Sequence, residues 1–250
     1  MAGRLAGKVF AITGAESGLG RAMALRAASE GAKIAAAGLR EDDLADTVAS
    51  MSNLEGDGVA IPTDVTDPGQ VSALIDGTVE SFGRLDGAIA NAGAFVEWTD
   101  FQDWDLADWH RVVAVNFTGV FVTLQAAARV LIEQGEGGSL LATGSSTAIR
   151  PAPKALPYVA SKGGVHQMMR ALAVELAPHK IRVNTVVPGM ARTSPVEDTE
   201  GYIEAGLKMV PMGEVVEPDE IAALVAFALS DEAPNMTGTL LKVDAGRTSG

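Results

Sequence analysis

The chain has 250 residues, of which 47% are hydrophobic and 20% charged, a balance that excludes a disordered chain or coiled coil and fits one medium α/β domain. Nineteen Lys and Arg against 32 Asp and Glu leave a formal charge of −13, which argues against nucleic acid or an anionic membrane as partner and requires any anionic ligand to be held locally. Cysteine is absent, excluding a disulfide scaffold, a thiolate nucleophile and Cys-ligated zinc. In chain order, the apolar run 8–13, closed by Gly14, reads as a buried strand, and residues 20–29 show helical spacing that Gly31 stops. Strand 33–37, helix 40–51, strand 58–62, helix 68–82 and strand 85–90 follow. A long helix over 105–134, strand 139–143, helix 158–176, strand 181–187, helix 218–229 and strand 240–243 complete the pass. Seven apolar strands traded with helices predict a doubly wound parallel sheet, a Rossmann-like single domain over 1–250, because each crossover helix returns the chain to the same end of the sheet. Residues 194–213 are too long for a plain connection and are expected to form a substrate lid. The N-terminal residues lack the apolar run of a signal peptide, and no stretch of about 20 apolar residues is legible, so a soluble cytoplasmic protein is expected.

Directly after the first strand comes Thr13-Gly14-Ala15-Glu16-Ser17-Gly18-Leu19-Gly20. Glycines there let the backbone turn tightly and approach a pyrophosphate, whose charge rests on the exposed N–H groups of the helix that follows. The spacing G-x-x-x-G-x-G departs from the commoner G-x-G-x-x-G. It resembles the short-chain dehydrogenase/reductase family, which includes 3-oxoacyl-carrier-protein reductases and related alcohol and sugar dehydrogenases. The resemblance runs over almost the whole chain, through Asp64-Val65, Asn91-Ala92-Gly93 (with Ala90 where the family has a further Asn), Tyr158-Val159-Ala160-Ser161-Lys162 and Pro188-Gly189. It implies that Asp64 and Val65 lie near the adenine, that Asn91, Ala92 and Gly93 line the cofactor, and that Pro188, Gly189 and Thr193 clamp the nicotinamide.

Tyr158 and Lys162 stand four residues apart, on one helix face. A phenol titrating near 10 must have its anion stabilised by roughly 3–4 kcal/mol to work near neutrality, and one cation at about 4 Å supplies on the order of 4 kcal/mol at an effective dielectric of about 20. The resemblance implies that Lys162 also bonds the nicotinamide ribose, that Ser145, thirteen residues before the tyrosine, holds the substrate oxygen, and that Asn116 distorts its helix to support a proton relay. Asn116, Ser145, Tyr158 and Lys162 are the expected catalytic set, and Ser145, Thr147, Tyr158, Trp98 and Met190 the expected substrate contacts. At the end of the second strand, Gly38-Leu39-Arg40 offers no carboxylate to repel a 2′-phosphate and an arginine that reaches it, whereas Glu16 opposes a dianion; the balance leans to NADP over NAD. The apolar residues Met190, Leu207, Met209 and Met212 favour an uncharged carbonyl substrate, although Arg150 and Arg192 offer an anion partners. The scattered histidines 110, 166 and 179 predict no metal and read as solvated or core residues.

The expected activity is therefore NAD(P)-dependent hydride transfer between nicotinamide and a secondary alcohol or ketone. Two alternatives use the same residues. One is a dinucleotide-binding sensor or scaffold without turnover, which the complete Asn, Ser, Tyr and Lys set argues against. The other is a sugar-nucleotide epimerase or dehydratase, which generally carries a larger C-terminal substrate region than follows the last strand here. The resemblance further implies a homotetramer, joined through the long helices and the last helix and strand, that acts on a small-molecule substrate.

Overall fold

Residues 3–95, 97–193 and 202–250 are described by a computed structural model. Among them, seven strands hydrogen-bond in parallel: β1 (Val9–Thr13), β2 (Lys33–Gly38), β3 (Asp57–Pro62), β4 (Gly87–Ala90), β5 (Gly138–Thr143), β6 (Ile181–Pro188) and β7 (Leu240–Val243). Their order is β3-β2-β1-β4-β5-β6-β7. Successive side chains of a strand point to opposite faces. Phe10, Ile12, Ile34 and Ala36 therefore enter one core while Ala11, Ala35 and Ala37 enter the other. Helices α1 (Gly18–Ser29) and α2 (Glu41–Ala49) close the first face, and α3 (Pro68–Phe82) contributes to the second. Further along lie α4 (Leu106–Val113), α5 (Gly119–Gln134), α6 (Leu156–Leu176), α7 (Tyr202–Leu207) and α8 (Pro218–Leu229). Of these, α5 and α6 complete the second core and α8 the first. The expected doubly wound sheet is thus observed.

Local chemistry accounts for the element boundaries that the sequence placed well. The carboxylate of Asp67 caps α3 by accepting from the N–H groups of Gly69 and Gln70, Pro68 takes the first turn, and Gly83 ends the helix at φ 82°. Glu217 and Glu220 form a reciprocal capping box at α8. The expected long helix over 105–134 is interrupted: between α4 and α5, residues Ala114–Thr118 form a π-helical turn containing Asn116. A wider turn of this kind displaces backbone carbonyls from their regular partners and often accompanies a functional site. By length and composition alone, the run Leu106–Gln134 is apolar enough to cross a membrane. Its inner side chains Val120, Leu124, Ala127 and Leu131 are core residues packed against the sheet.

From β1 the chain crosses to β2 on one side, and the neighbouring β4 leads to β5 on the other. The connections consequently diverge above the carboxyl ends of β1 and β4. A crevice at such a divergence is where open α/β sheets bind ligands.

Candidate active site

Gly14 and Gly18, at φ 66° and 50°, turn the chain from β1 into α1. Ser17 precedes the helix in an extended conformation and makes no side-chain cap hydrogen bond, so the first N–H groups of α1 and the positive end of its dipole are left for an anion. The Thr193 methyl comes over Gly18, 3.4 Å from where a Cβ would sit. Asn91 ties three strand ends together: Nδ2 donates to the carbonyls of Thr13 (3.1 Å) and Gly14 (3.3 Å), and Oδ1 accepts from the Thr143 hydroxyl (2.9 Å). The Thr13 hydroxyl in turn accepts from the N–H groups of Asn91 and Ala92. Asp64 Oδ1 accepts from the N–H and hydroxyl of Thr66, closing a turn after β3. Val65 is buried against Gly119 at the start of α5.

At the far end of the crevice, the Glu16 carboxylate lies in the space that Gly38 leaves, so close that a Cβ at 38 would stand 2.0 Å from Oε2. Its Oε1 accepts from the Leu39 N–H at 3.3 Å, while Oε2 is buried with no hydrogen-bond partner among the described residues. Arg40 is held by the Asp43 carboxylate and stands 4.0 Å from Glu16. The cation that the sequence offered to a phosphate is already compensated, and the Glu16 carboxylate that the sequence set against a dianion stands in the space left by Gly38. An open helix N-terminus with an unpartnered carboxylate oxygen beyond it fits a dinucleotide, whose pyrophosphate and ribose hydroxyls would meet these two groups.

The central residues converge between α6 and the ends of β4 and β5. Lys162 is buried, and its Nζ donates to the Thr143 carbonyl at 2.7 Å and lies 5.8 Å from the centre of the Tyr158 ring. Burial pushes the Lys162 ammonium down to about 8. A Cβ at Gly93 would be 3.7 Å from Asn116 Oδ1 and 4.0 Å from Lys162 Nζ, so these two side chains flank the loop after β4. Ser145 opens a short 3-10 turn, Ser146–Ala148; its hydroxyl lies 2.8 Å from that of Thr147 and accepts from the Thr147 N–H.

Several expectations change in the tertiary structure. The Asn116 side chain is spent on backbone, accepting from the Ala94 N–H at 2.7 Å and donating to its carbonyl at 2.9 Å. It is fully buried within the π turn, where the expected helix distortion falls, and braces the loop after β4. The ring stacked on Tyr158 is Phe95, with centroids 5.0 Å apart, and Trp98 stands half-exposed further along the same loop. Met190 seats its methyl at Gly206 of α7, which makes it a contact for the expected lid. Arg192 is paired with Glu217 and Arg150 donates to the Arg247 carbonyl, so both are engaged within the chain. Of the expected lid, residues 194–201 lie outside the described residues. His166, read from the sequence as a solvated or core residue, accepts through Nε2 from the Ser145 N–H at 3.2 Å. Its only signal was its place four residues after Lys162. Among the described residues no group of three or more His, Asp or Glu side chains is arranged to hold a metal ion.

Residues 14–248 match the family model described as enoyl-(acyl carrier protein) reductase. The chain is 36% identical over 251 residues to 2,5-dichloro-2,5-cyclohexadiene-1,4-diol dehydrogenase LinX of Sphingobium indicum, covering 100% of both chains. Among solved structures, a short-chain type dehydrogenase/reductase from Mycobacterium marinum superimposes with a TM-score of 0.94 at 36% identity, covering 98% of this chain and 97% of that one. A 3-ketoacyl-(acyl-carrier-protein) reductase from Brucella melitensis complexed with NADH gives 0.91 at 31% identity, covering 98% and 99%. With its glycine turn, parallel sheet and buried lysine beside a tyrosine, the chain belongs to the short-chain dehydrogenase/reductase family and is an NAD(P)-dependent oxidoreductase.

Proposed function

We propose that this oxidoreductase interconverts an uncharged secondary alcohol and its ketone, with NAD(H) preferred to NADP(H). The observation that carries the reading is the placement of a buried ammonium, Lys162 Nζ, 5.8 Å from the Tyr158 ring at the ends of β4 and β5. A bound nicotinamide supplies or accepts the hydride. Tyr158 Oη carries the proton to or from the substrate oxygen, and the nearby positive charge favours its deprotonated form. The Ser145 hydroxyl, oriented by Thr147, holds the same oxygen from a second direction. Asn116 fixes the Ala94 loop. The glycine turn and the uncapped start of α1 take the pyrophosphate; Asp64, Val65 and Leu39 flank the adenosine, and Asn91, Ala92, Gly93, Pro188, Gly189 and Thr193 line the remainder.

The preference for NAD(H) reverses the sequence-based lean. A 2′-phosphate would meet the Glu16 carboxylate, while Arg40 is already engaged by Asp43. The Brucella relative complexed with NADH accords with this. LinX, by its name, acts on a ring diol, and the apolar surroundings of Phe95, Trp98, Met190 and Leu207, with both rim arginines engaged, suit a ring-borne hydroxyl here. Residues 194–213 then serve as a lid within a single catalytic domain, in a cytoplasmic homotetramer.

Titration with NADH and NADPH, followed by nicotinamide fluorescence at one salt concentration, tests the cofactor. NADH should bind at least tenfold tighter, and Glu16→Ala should narrow the gap; tighter NADPH binding would refute the preference. Oxidation of cyclohexanediols with NAD+ tests the chemistry. Tyr158→Phe should remove turnover by about 10²–10⁴-fold, the usual contribution of a positioned acid–base group, while NADH affinity stays within about twofold of wild type. Appreciable residual turnover would refute the assignment, and NADH binding without turnover of any alcohol or ketone would favour the sensor reading.

A further inference from the structure

We propose that His166 is a positioning residue for the reaction: its Nε2, presented as an acceptor from α6, holds the Ser145 backbone N–H and thereby sets the Ser145 hydroxyl against the substrate oxygen. The inference rests on the assignment of Ser145 above. Tyr158, Lys162 and His166 follow one another at intervals of four residues and so line one stripe of α6. Two of the three reach the end of β5. Lys162 Nζ donates to the Thr143 carbonyl at 2.7 Å, and His166 Nε2 accepts from the Ser145 N–H at 3.2 Å. The helix that carries the proton-transfer tyrosine thus grips the serine-bearing segment at two backbone atoms two residues apart.

The sheet itself does not supply this hold. The β5–β6 pairing continues to the Gly144 N–H, which donates to the Val186 carbonyl at 2.8 Å. The next donor, on Ser145, lies beyond that ladder in a buried segment, where a backbone N–H without a partner is costly. His166 meets the need, and residue 144 is adapted to it. A Cβ at Gly144 would stand 2.3 Å from His166 Nε2 and 2.8 Å from the Thr185 methyl, so a side chain there would push the imidazole out of reach. With its N–H held by His166 and its hydroxyl by Thr147, Ser145 is located at both ends. An imidazole accepting at Nε2 must carry its proton at Nδ1. Burial, and after it the Lys162 charge, push His166 down to about 4, which keeps the acceptor available throughout the neutral range. Gly144, whose backbone lies against the ring, brings no charge to it.

The test combines a spectroscopic and a kinetic measurement on the full chain. In protein carrying ¹⁵N-labelled histidine, His166 should show the Nδ1–H tautomer at pH 7 and no imidazolium down to pH 5; the Nε2–H tautomer or an ordinary titration would overturn the proposal. His166→Leu fills the site without an acceptor, and His166→Gln places an amide oxygen near the former Nε2. Exchange of the Ser145 amide should speed up about 10–100-fold in the leucine variant, as expected for an unmade buried hydrogen bond, and largely recover in the glutamine one. In cyclohexanediol oxidation kcat should fall by about 10–100-fold in His166→Leu, the scale of a misplaced catalytic group, with KM and NADH affinity within about twofold. His166→Gln should return to within about fivefold of wild type. Equal amide exchange in all three proteins, an unchanged kcat in His166→Leu, or a glutamine variant as poor as the leucine one would each overturn it. If wild-type protein binds neither nucleotide, the oxidoreductase reading fails, whereas tautomer and amide exchange still judge the His166 bond.

Discussion

Lys162 shows how function is paid for in stability at the level of one residue. A buried ammonium costs several kcal/mol of lost hydration, and the partner the structure gives it is a carbonyl, that of Thr143. In the free protein Lys162 titrates near 8, whereas in the unfolded chain it titrates at about 10.5. Unfolding therefore takes up a proton between those values, and stability should rise as pH increases across that window. His166 has the same sign in an acid window. Folded it titrates near 4 and unfolded near 6.5, so its contribution is complete above pH 6.5 and falls as pH drops towards 4, by about 3 kcal/mol in all. Urea unfolding at pH 7, 5.5 and 4 should show a shallower acid loss in His166→Gln than in wild type, and parallel losses would contradict the assigned burial. Neither effect was legible in the sequence, where a lysine or histidine carries no mark of its exposure.

Elements divide by whether their determinants are local. The ends of α3 follow from Asp67, Pro68 and Gly83, residues within or beside the helix, so the sequence placed them correctly. The π turn at Ala114–Thr118 depends on a segment elsewhere: Asn116 reaches Ala94, 22 residues earlier, and no periodicity in the 105–134 run announces it. Replacing Asn116 with Ala should leave two partly buried Ala94 backbone groups without their partner, costing about 1–3 kcal/mol in a denaturant melt. Loss below about 0.5 kcal/mol would mean that the brace is dispensable. The segment after β7 behaves oppositely. Ala245 sits at φ 48° where a glycine would be unstrained, and the left-handed region costs an L-residue about 1–2 kcal/mol. Ala245→Gly should therefore stabilise the protein by about 1 kcal/mol, raising Tm by about 2–4 °C. An unchanged or lower Tm would show that neighbouring residues relieve the strain.

For the whole molecule, a net charge of −13 opposes an anionic nucleotide, while the start of α1 attracts one over a single turn. The long-range part is screened by salt and the contact part much less. The association rate for NADH should consequently rise a few-fold between about 20 and 200 mM salt; a steep fall would mean that positive charge dominates the approach. Phe121 on α5 and Val174 on α6 are 44% and 79% exposed, apolar surface suited to the proposed tetramer. Light scattering should give four times the 25.7 kDa chain mass, and a mass near one chain would remove the tetramer. By itself the sequence determined the alternation of elements, the parallel sheet, the phosphate-binding turn and the Tyr158–Lys162 pair, because each is written in residues within one or two turns or strands of one another. Only the tertiary structure decided that Glu16 fills the space at Gly38, that Asn116 braces Ala94 and that His166 holds Ser145. Those partners stand 21 to 22 residues apart, and a contact across that separation exists only once the sheet order has brought the strand ends together.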